Sequence, residues 1–214
     1  MKRNRMHLIA SLCLLVAFGL WTAAICFVDV QPIGPQGSSV GFAGINRFVH
    51  TLTGVHFGLY TLTDWLGLVP ILVCICFGVL GLTQWVQRKS IRKVDRDILI
   101  LGGFYVVTIA AYLLFEGVVI NFRPVLIHGI LEASYPSSTT MLVMCVMPTA
   151  LMQLRRRVKN AALRNAAVFA IIVFVAFMVI GRLVSGVHWV TDIVGGALLS
   201  AGLVWMYAYV TGLR

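Results

Sequence analysis

Six stretches of this chain contain no Asp, Glu, Lys or Arg, and each is long enough, or nearly so, to cross a bilayer as a helix: His7–Val28, Trp65–Gln87, Ile98–Phe115, Ala133–Leu154, Asn165–Gly181 and Ile193–Leu213. About 20 apolar residues match the hydrocarbon thickness, and a helix is the form that satisfies its own backbone there. With 60 % apolar and only 11 % charged residues over 214 positions, an ordinary soluble domain is excluded. The expected fold is all-α: one polytopic membrane domain, residues 1–214, built as a bundle of six transmembrane helices. The first stretch is long and lacks a clear small-residue cleavage site, so it reads as a retained span rather than a signal peptide.

The net charge of +10 would suit a nucleic-acid binder, but its distribution argues against one. Lys2, Arg3 and Arg5 precede the first span; Arg88, Lys89, Arg92, Lys93 and Arg96 follow the second. Arg155, Arg156, Arg157, Lys159 and Arg164 follow the fourth, and Arg214 ends the chain. These are 14 of the 17 basic residues, in alternate connecting segments, which the positive-inside rule assigns to the cytoplasm. The expectation is a multi-pass protein of the cell membrane with both termini cytoplasmic, touching anionic lipid and no nucleic acid. Only Arg47, Arg123 and Arg182 fall on the outer side, where topology gives no reason for arginine.

Between Asp29 and Asp64 the chain is irregular. Its Pro-, Gly- and Ser-rich start reads as loop, and Ile45–Leu62, carrying Arg47, His50 and His56, reads as a short amphipathic or re-entrant piece at the outer surface. The five cysteines lie in or beside apolar runs without CxxC spacing, and read as small hydrophobes. No glycine-rich nucleotide loop is present, and neither a metal nor another cofactor is implied.

Two outer segments carry the chemistry. Between the third and fourth spans stand Glu116, Asn121, Arg123, Pro124, His128 and Glu132, and then the run YPSSTT opening an apolar stretch. Hydroxyl residues at a helix start either cap it or, with the unpaired backbone N–H groups, cradle a phosphate. The second segment, GRLVSGVHWVTD, sets Arg182 six residues before His188 and Asp192 four after it. If the stretch after His188 is helical, His188 and Asp192 share a face. An aspartate that accepts one ring proton leaves the other nitrogen free as a nucleophile, and arginine offers a planar fork to phosphate oxygens.

Arg123-Pro124, Pro136-Ser137 opening a span, and Arg182-x5-His188-x3-Asp192 together resemble the type-2 phosphatidic acid phosphatase superfamily, which includes lipid phosphate phosphatases and undecaprenyl-diphosphate phosphatases. The resemblance covers residues 116–196 and the six-span layout. It implies that His188 attacks phosphorus to form a phosphohistidine and that Asp192 orients it. Arg123, Arg182, Ser137 and Ser138 would hold the phosphate oxygens. Three positions depart from the pattern. Glu116 stands where the family has a lysine, and is expected to pair with an arginine or face away. Gly181 replaces a serine. Thr139 replaces the histidine that protonates the leaving group, a loss that could slow turnover ~10²–10⁴-fold. His128, Glu132 and His56 are candidate substitute donors.

A diphosphate leaves as phosphate, a much weaker base than an alkoxide, so it suffers least from a missing acid. The reading is therefore a lipid phosphate phosphatase acting at the outer face, with a polyprenyl diphosphate preferred as substrate. A non-catalytic lipid-phosphate binder is the rival. That rival needs the arginines but not a His–Asp pair. The sequence leaves the oligomeric state open.

Overall fold

A computed structural model describes residues 2–213, with side chains from residue 4 onward. Arg214 and the side chains of Lys2 and Arg3, placed above in the inner basic set, lie outside the described residues. The helices are α1 (Lys2–Phe27), α2 (Ala43–Thr53), α3 (Phe57–Leu66), α4 (Leu68–Arg88), α5 (Arg96–Gly117), α6 (Ser138–Arg157), α7 (Ala161–Val184) and α8 (Val190–Thr211). Among the described residues, extended pairing is limited to isolated bridges such as Phe122 with Ala133.

Five helical stretches are long and apolar enough to cross a membrane: Asn4–Phe27, Phe57–Arg88, Arg96–Gly117, Ala161–Val184 and Val190–Thr211. The sixth long helix, α6, has 20 residues and closes on three arginines. It is shielded instead by its neighbours, packing against α4, α5, α7 and α8. Polar groups in its second half are met inside the bundle: Thr149 Oγ1 donates to the Cys145 carbonyl at 2.8 Å, and Gln153 Nε2 to the Tyr207 hydroxyl at 2.5 Å. The all-helical, polytopic architecture is as expected.

One boundary differs. The second span starts at Phe57, not Trp65, because the chain passes through Gly67 in helical conformation (φ −59°, ψ −17°) and joins α3 to α4. Asp64, which ends a charge-free run in the sequence, lies inside this rod. Ile45–Leu62 is therefore two pieces separated at Gly54. The first, α2, is amphipathic: Asn46 is buried, while Ile45, Phe48 and Leu52 are exposed.

Helices approach closely where small residues permit. A side chain on Gly202 would meet Leu15 of α1 at 2.8 Å, and at the same place Ser11 Oγ donates to the Gly202 carbonyl at 2.8 Å. At one end of the bundle Arg157 bridges the two basic connections, with Nη1 2.9 Å from Asp97 Oδ2 and Nη2 3.6 Å from Asp95. The other end gathers the α1–α3, α5–α6 and α7–α8 connections. There His56 N–H donates to the Ser185 carbonyl at 2.9 Å and Trp189 Nε1 to the Phe122 carbonyl at 2.8 Å.

Candidate active site

Residues 185–189 form the turn between α7 and α8 that carries His188. Gly186 has φ +69°, and the Gly54 carbonyl presses on the space where a Cβ would stand, so both conformation and space require glycine. His50 Nε2 lies 3.1 Å from the Gly186 carbonyl, and Asn46 Nδ2 donates to Thr191 Oγ1 at 3.0 Å. The amphipathic α2 thus braces the turn from outside. Trp189 caps α8, and its N–H donates to Asp192 Oδ2 at 2.9 Å.

His188 therefore precedes the helix instead of sharing a helical face with Asp192. The two still meet, because the capping turn folds the ring back over the carboxylate. His188 Nδ1 is 3.8 Å from Asp192 Oδ2, an ion-pair distance longer than a hydrogen bond. Asp192 Oδ1 accepts from Asn121 Nδ2 at 3.3 Å. Both side chains are buried, and the aspartate is fully enclosed.

The other ring nitrogen faces two arginines. Arg123 Nη1 lies 3.1 Å and Arg182 Nη2 3.4 Å from His188 Nε2. Guanidinium groups only donate, so this contact requires an unprotonated Nε2 and places the ring proton on Nδ1, toward Asp192. Burial, then the positive charges of Arg123 and Arg182, hold the His188 pKa well below its ordinary value. The result is a neutral imidazole with its lone pair pointed at two guanidinium groups.

Arg123 is set by paired backbone around it: its N–H donates to the Glu132 carbonyl at 3.0 Å, and the Ser134 N–H to the Asn121 carbonyl at 2.9 Å. Its Nε is 2.9 Å from Glu132 Oε2. Arg182, only 1 % exposed, is approached from α3 by Thr63 Oγ1 at 3.4 Å and Asp64 Oδ1 at 3.7 Å, with the Tyr60 ring centroid at 4.9 Å.

His188 and Arg123 open into a cavity of 260 Å³ that also meets Glu116, Glu132, Tyr135 and Ser138. A second cavity, 620 Å³ and mainly apolar, runs between α4, α5 and α6 along Leu68, Ile71, Ile109, Leu142 and Val146. Tyr112, Ser138 and Met141 line both.

His188, Asp192, Arg123 and Arg182 thus come together. Ser138 lines the first cavity, whereas Ser137 is fully buried and gives its N–H to the Asp192 carbonyl at 3.1 Å. The Ser137 side chain makes no capping hydrogen bond to α6. Thr139 faces the apolar cavity. His128 is exposed in a tight turn at φ +51°, apart from both cavities. Glu132 lines the polar cavity, engaged by Arg123. Glu116, expected to pair with an arginine or face away, does neither: it lines the same cavity and makes no ion pair among the described residues. The Gly195-Gly196 pair lets α8 pass beneath the Tyr135 ring and the start of α6; a Cβ on Gly196 would lie 3.2 Å from the Ser137 carbonyl oxygen.

Sequence reasoning missed Asn121 as a partner of Asp192, and it missed the α3 residues around Arg182. Asn121 stands two positions before Arg123, and nothing in its local spacing marks it. The α3 contacts span 119 positions and leave no local pattern.

No curated protein matches the chain. Among solved structures, the crystal structure of the first transmembrane PAP2 type phosphatidylglycerolphosphate phosphatase from Bacillus subtilis matches with a TM-score of 0.63 at 17 % identity, covering 95 % of this chain and 96 % of that one. The model of the PAP2 superfamily matches residues 104–214, which hold all of the His188, Asp192, Arg123 and Arg182 constellation. By that match over more than half its length, the chain belongs to the PAP2 superfamily.

Proposed function

We propose that this protein is a membrane lipid phosphate phosphatase that works through a phosphohistidine on His188. The observation that carries the reading is the placement of His188 Nε2, 3.1 Å from Arg123 and 3.4 Å from Arg182, with Nδ1 turned to Asp192. The arginines take the nonbridging phosphate oxygens. Nε2 attacks phosphorus, the bond to the leaving oxygen breaks, and Asp192 stabilises the cationic ring. Water then attacks the phosphohistidine, releasing inorganic phosphate and returning the neutral ring. The adjoining apolar cavity suits the chain of a lipid substrate.

The preferred substrate is a polyprenyl diphosphate. Thr139 offers no acid at neutral pH, and a diphosphate's leaving phosphate needs little protonation. A second reading, a phosphatidylglycerophosphate-type monoester, has support from the activity in the name of the Bacillus subtilis neighbour. The basic clusters favour a cell-membrane protein with cytoplasmic termini and an extracytoplasmic site, in which residues 1–214 act as one unit with their motif core at 116–196. Phosphate release by purified protein from a panel of polyprenyl diphosphates and lipid monophosphates tests both substrate readings. Turnover of a diphosphate faster than any monoester supports the first. Inactivity on every lipid, with phosphate still bound, would favour a non-catalytic binder.

A further inference from the structure

Arg182 is the most enclosed cation of the site, at 1 % exposure, and three chemically different groups of α3 converge on its guanidinium. The Tyr60 ring lies under it with its centroid at 4.9 Å, a cation–π distance. Thr63 Oγ1 faces Nη1 at 3.4 Å; its own proton is directed to the Leu59 and Tyr60 carbonyls, which leaves a lone pair for the arginine. Asp64 Oδ1 stands 3.7 Å from the same Nη1. A plain helix contact would account for methyl groups against a backbone, but not for a π face, a hydroxyl acceptor and a carboxylate around one buried cation.

Gly181 explains how α3 comes so near. A Cβ there would lie 2.9 Å from Thr63 Cγ2 and 3.7 Å from Leu59 Cδ1, closer to the threonine methyl than real Cβ contacts allow. The glycine next to Arg182 is thus the residue on which α3 docks.

We propose that α3 is part of the phosphate site. Tyr60 and Thr63 hold Arg182 toward His188, Gly181 admits them, and the Asp64 carboxylate competes with bound phosphate for the guanidinium. The carboxylate is 60 % exposed at the edge of the apolar cavity, so it can swing away when a phosphate dianion arrives, and its repulsion favours release of product phosphate. These are positioning residues; none is assigned a bond-making step. The inference rests on the phosphatase reading.

The test uses full-length protein in nanodiscs and inorganic phosphate as the probe, followed by titration calorimetry beside lipid turnover. Asp64→Asn keeps the shape and removes the charge. It should bind phosphate about two- to fivefold more tightly, the range for a partly exposed ion pair. A merely structural role would leave binding unchanged or weaken it. Gly181→Ala should weaken phosphate binding about tenfold or more by moving Arg182 from its place. Thr63→Ser, which removes the obstructing methyl and keeps the hydroxyl, should restore most of that loss in the double mutant. Unchanged or weaker binding in folded Asp64→Asn overturns the competition. Failure of Thr63→Ser to rescue Gly181→Ala overturns the docking. Either result, with the wild type still hydrolysing lipid, leaves the phosphatase reading standing. A wild type that neither binds phosphate nor turns over lipid overturns both.

Discussion

Replacing Asp192 with asparagine removes one oxygen's charge from the most enclosed polar cluster of the protein, and the geometry says what should follow. Asp192 now accepts from Trp189 N–H at 2.9 Å and Asn121 Nδ2 at 3.3 Å while facing His188 Nδ1 at 3.8 Å. An asparagine must turn its amide N–H2 toward one of these donors. If it faces Asn121, two N–H groups oppose each other. If it faces Trp189, it also donates toward Nδ1 and pushes the ring proton onto Nε2, capping the nucleophile. Either way a buried donor loses its partner, at about 1–3 kcal/mol. The lost attraction between carboxylate and cationic ring at this distance is ~4 kcal/mol at an effective dielectric of ~20. That lost attraction predicts a fall in the proposed phosphohistidine-forming step of about 10³-fold, while the unpartnered donor lowers stability in ground and transition state alike. Single-turnover phosphate release in a rapid-quench instrument reads that step, and the phosphoenzyme can be followed by its acid lability. Asn121→Ala should relieve the donor conflict in the double mutant, restoring thermal stability but not rate. A fall of less than about tenfold in well-folded Asp192→Asn would refute the role given to the carboxylate.

Further outcomes follow from other parts of the site. His188 is held neutral by burial and two arginines, so its folded-state pKa lies below the unfolded value; rate should persist as pH drops through ~6.5, whereas the stability tied to this neutral ring is full above ~6.5 and is lost progressively from there down to the lowered folded value. Arg123→Gln should move the acid limb of the pH–rate profile upward relative to wild type, and an unmoved limb would remove the arginine as a cause. Gly195→Ala drives a methyl into the Tyr135 ring, which is buried between Phe18 and Phe115, and should lower stability by ~1–3 kcal/mol in a thermal unfolding assay. Thr139→His should raise monoester turnover proportionally more than diphosphate turnover; an equal effect on both would show that another group already supplies the proton. In a background without native cysteines, Arg92→Cys should resist an impermeant thiol reagent applied to intact cells and His128→Cys should react with it, the reverse pattern contradicting the proposed orientation.

The part of this site that was legible in the sequence is the part carried by short spacing. Arg182, His188 and Asp192 lie within eleven consecutive positions, and the turn that joins them is local. Arg123 was legible as an arginine that topology does not explain. What stayed hidden depends on which helices meet. Asp64 looked like the border of a span because a charge in an apolar run usually marks an end; its partner is an arginine on another helix, a contact that hydropathy cannot register. Glu116 faces the cavity without an ion pair among the described residues because the end of α5 is turned that way, and rotation of a helix about its axis is set by packing. The amphipathic α2 was legible from its pattern, whereas its grip on the Gly186 carbonyl was not.

The contact between α1 and α8 has a consequence for how the protein is made. Ser11 and Gly202 are 191 positions apart, and Trp21 of α1 also donates to the Thr191 carbonyl at 3.1 Å, one residue before Asp192. The earliest of these helices to be synthesised therefore has to wait in the bilayer until the last is threaded before its small-residue seam can close. Until then the face of α1 that packs on α8 lacks its partner, although Phe18 can already meet Phe115 of α5. The same event that closes the seam brings Asp192 into the bundle, so completing the fold and assembling the candidate site are one step.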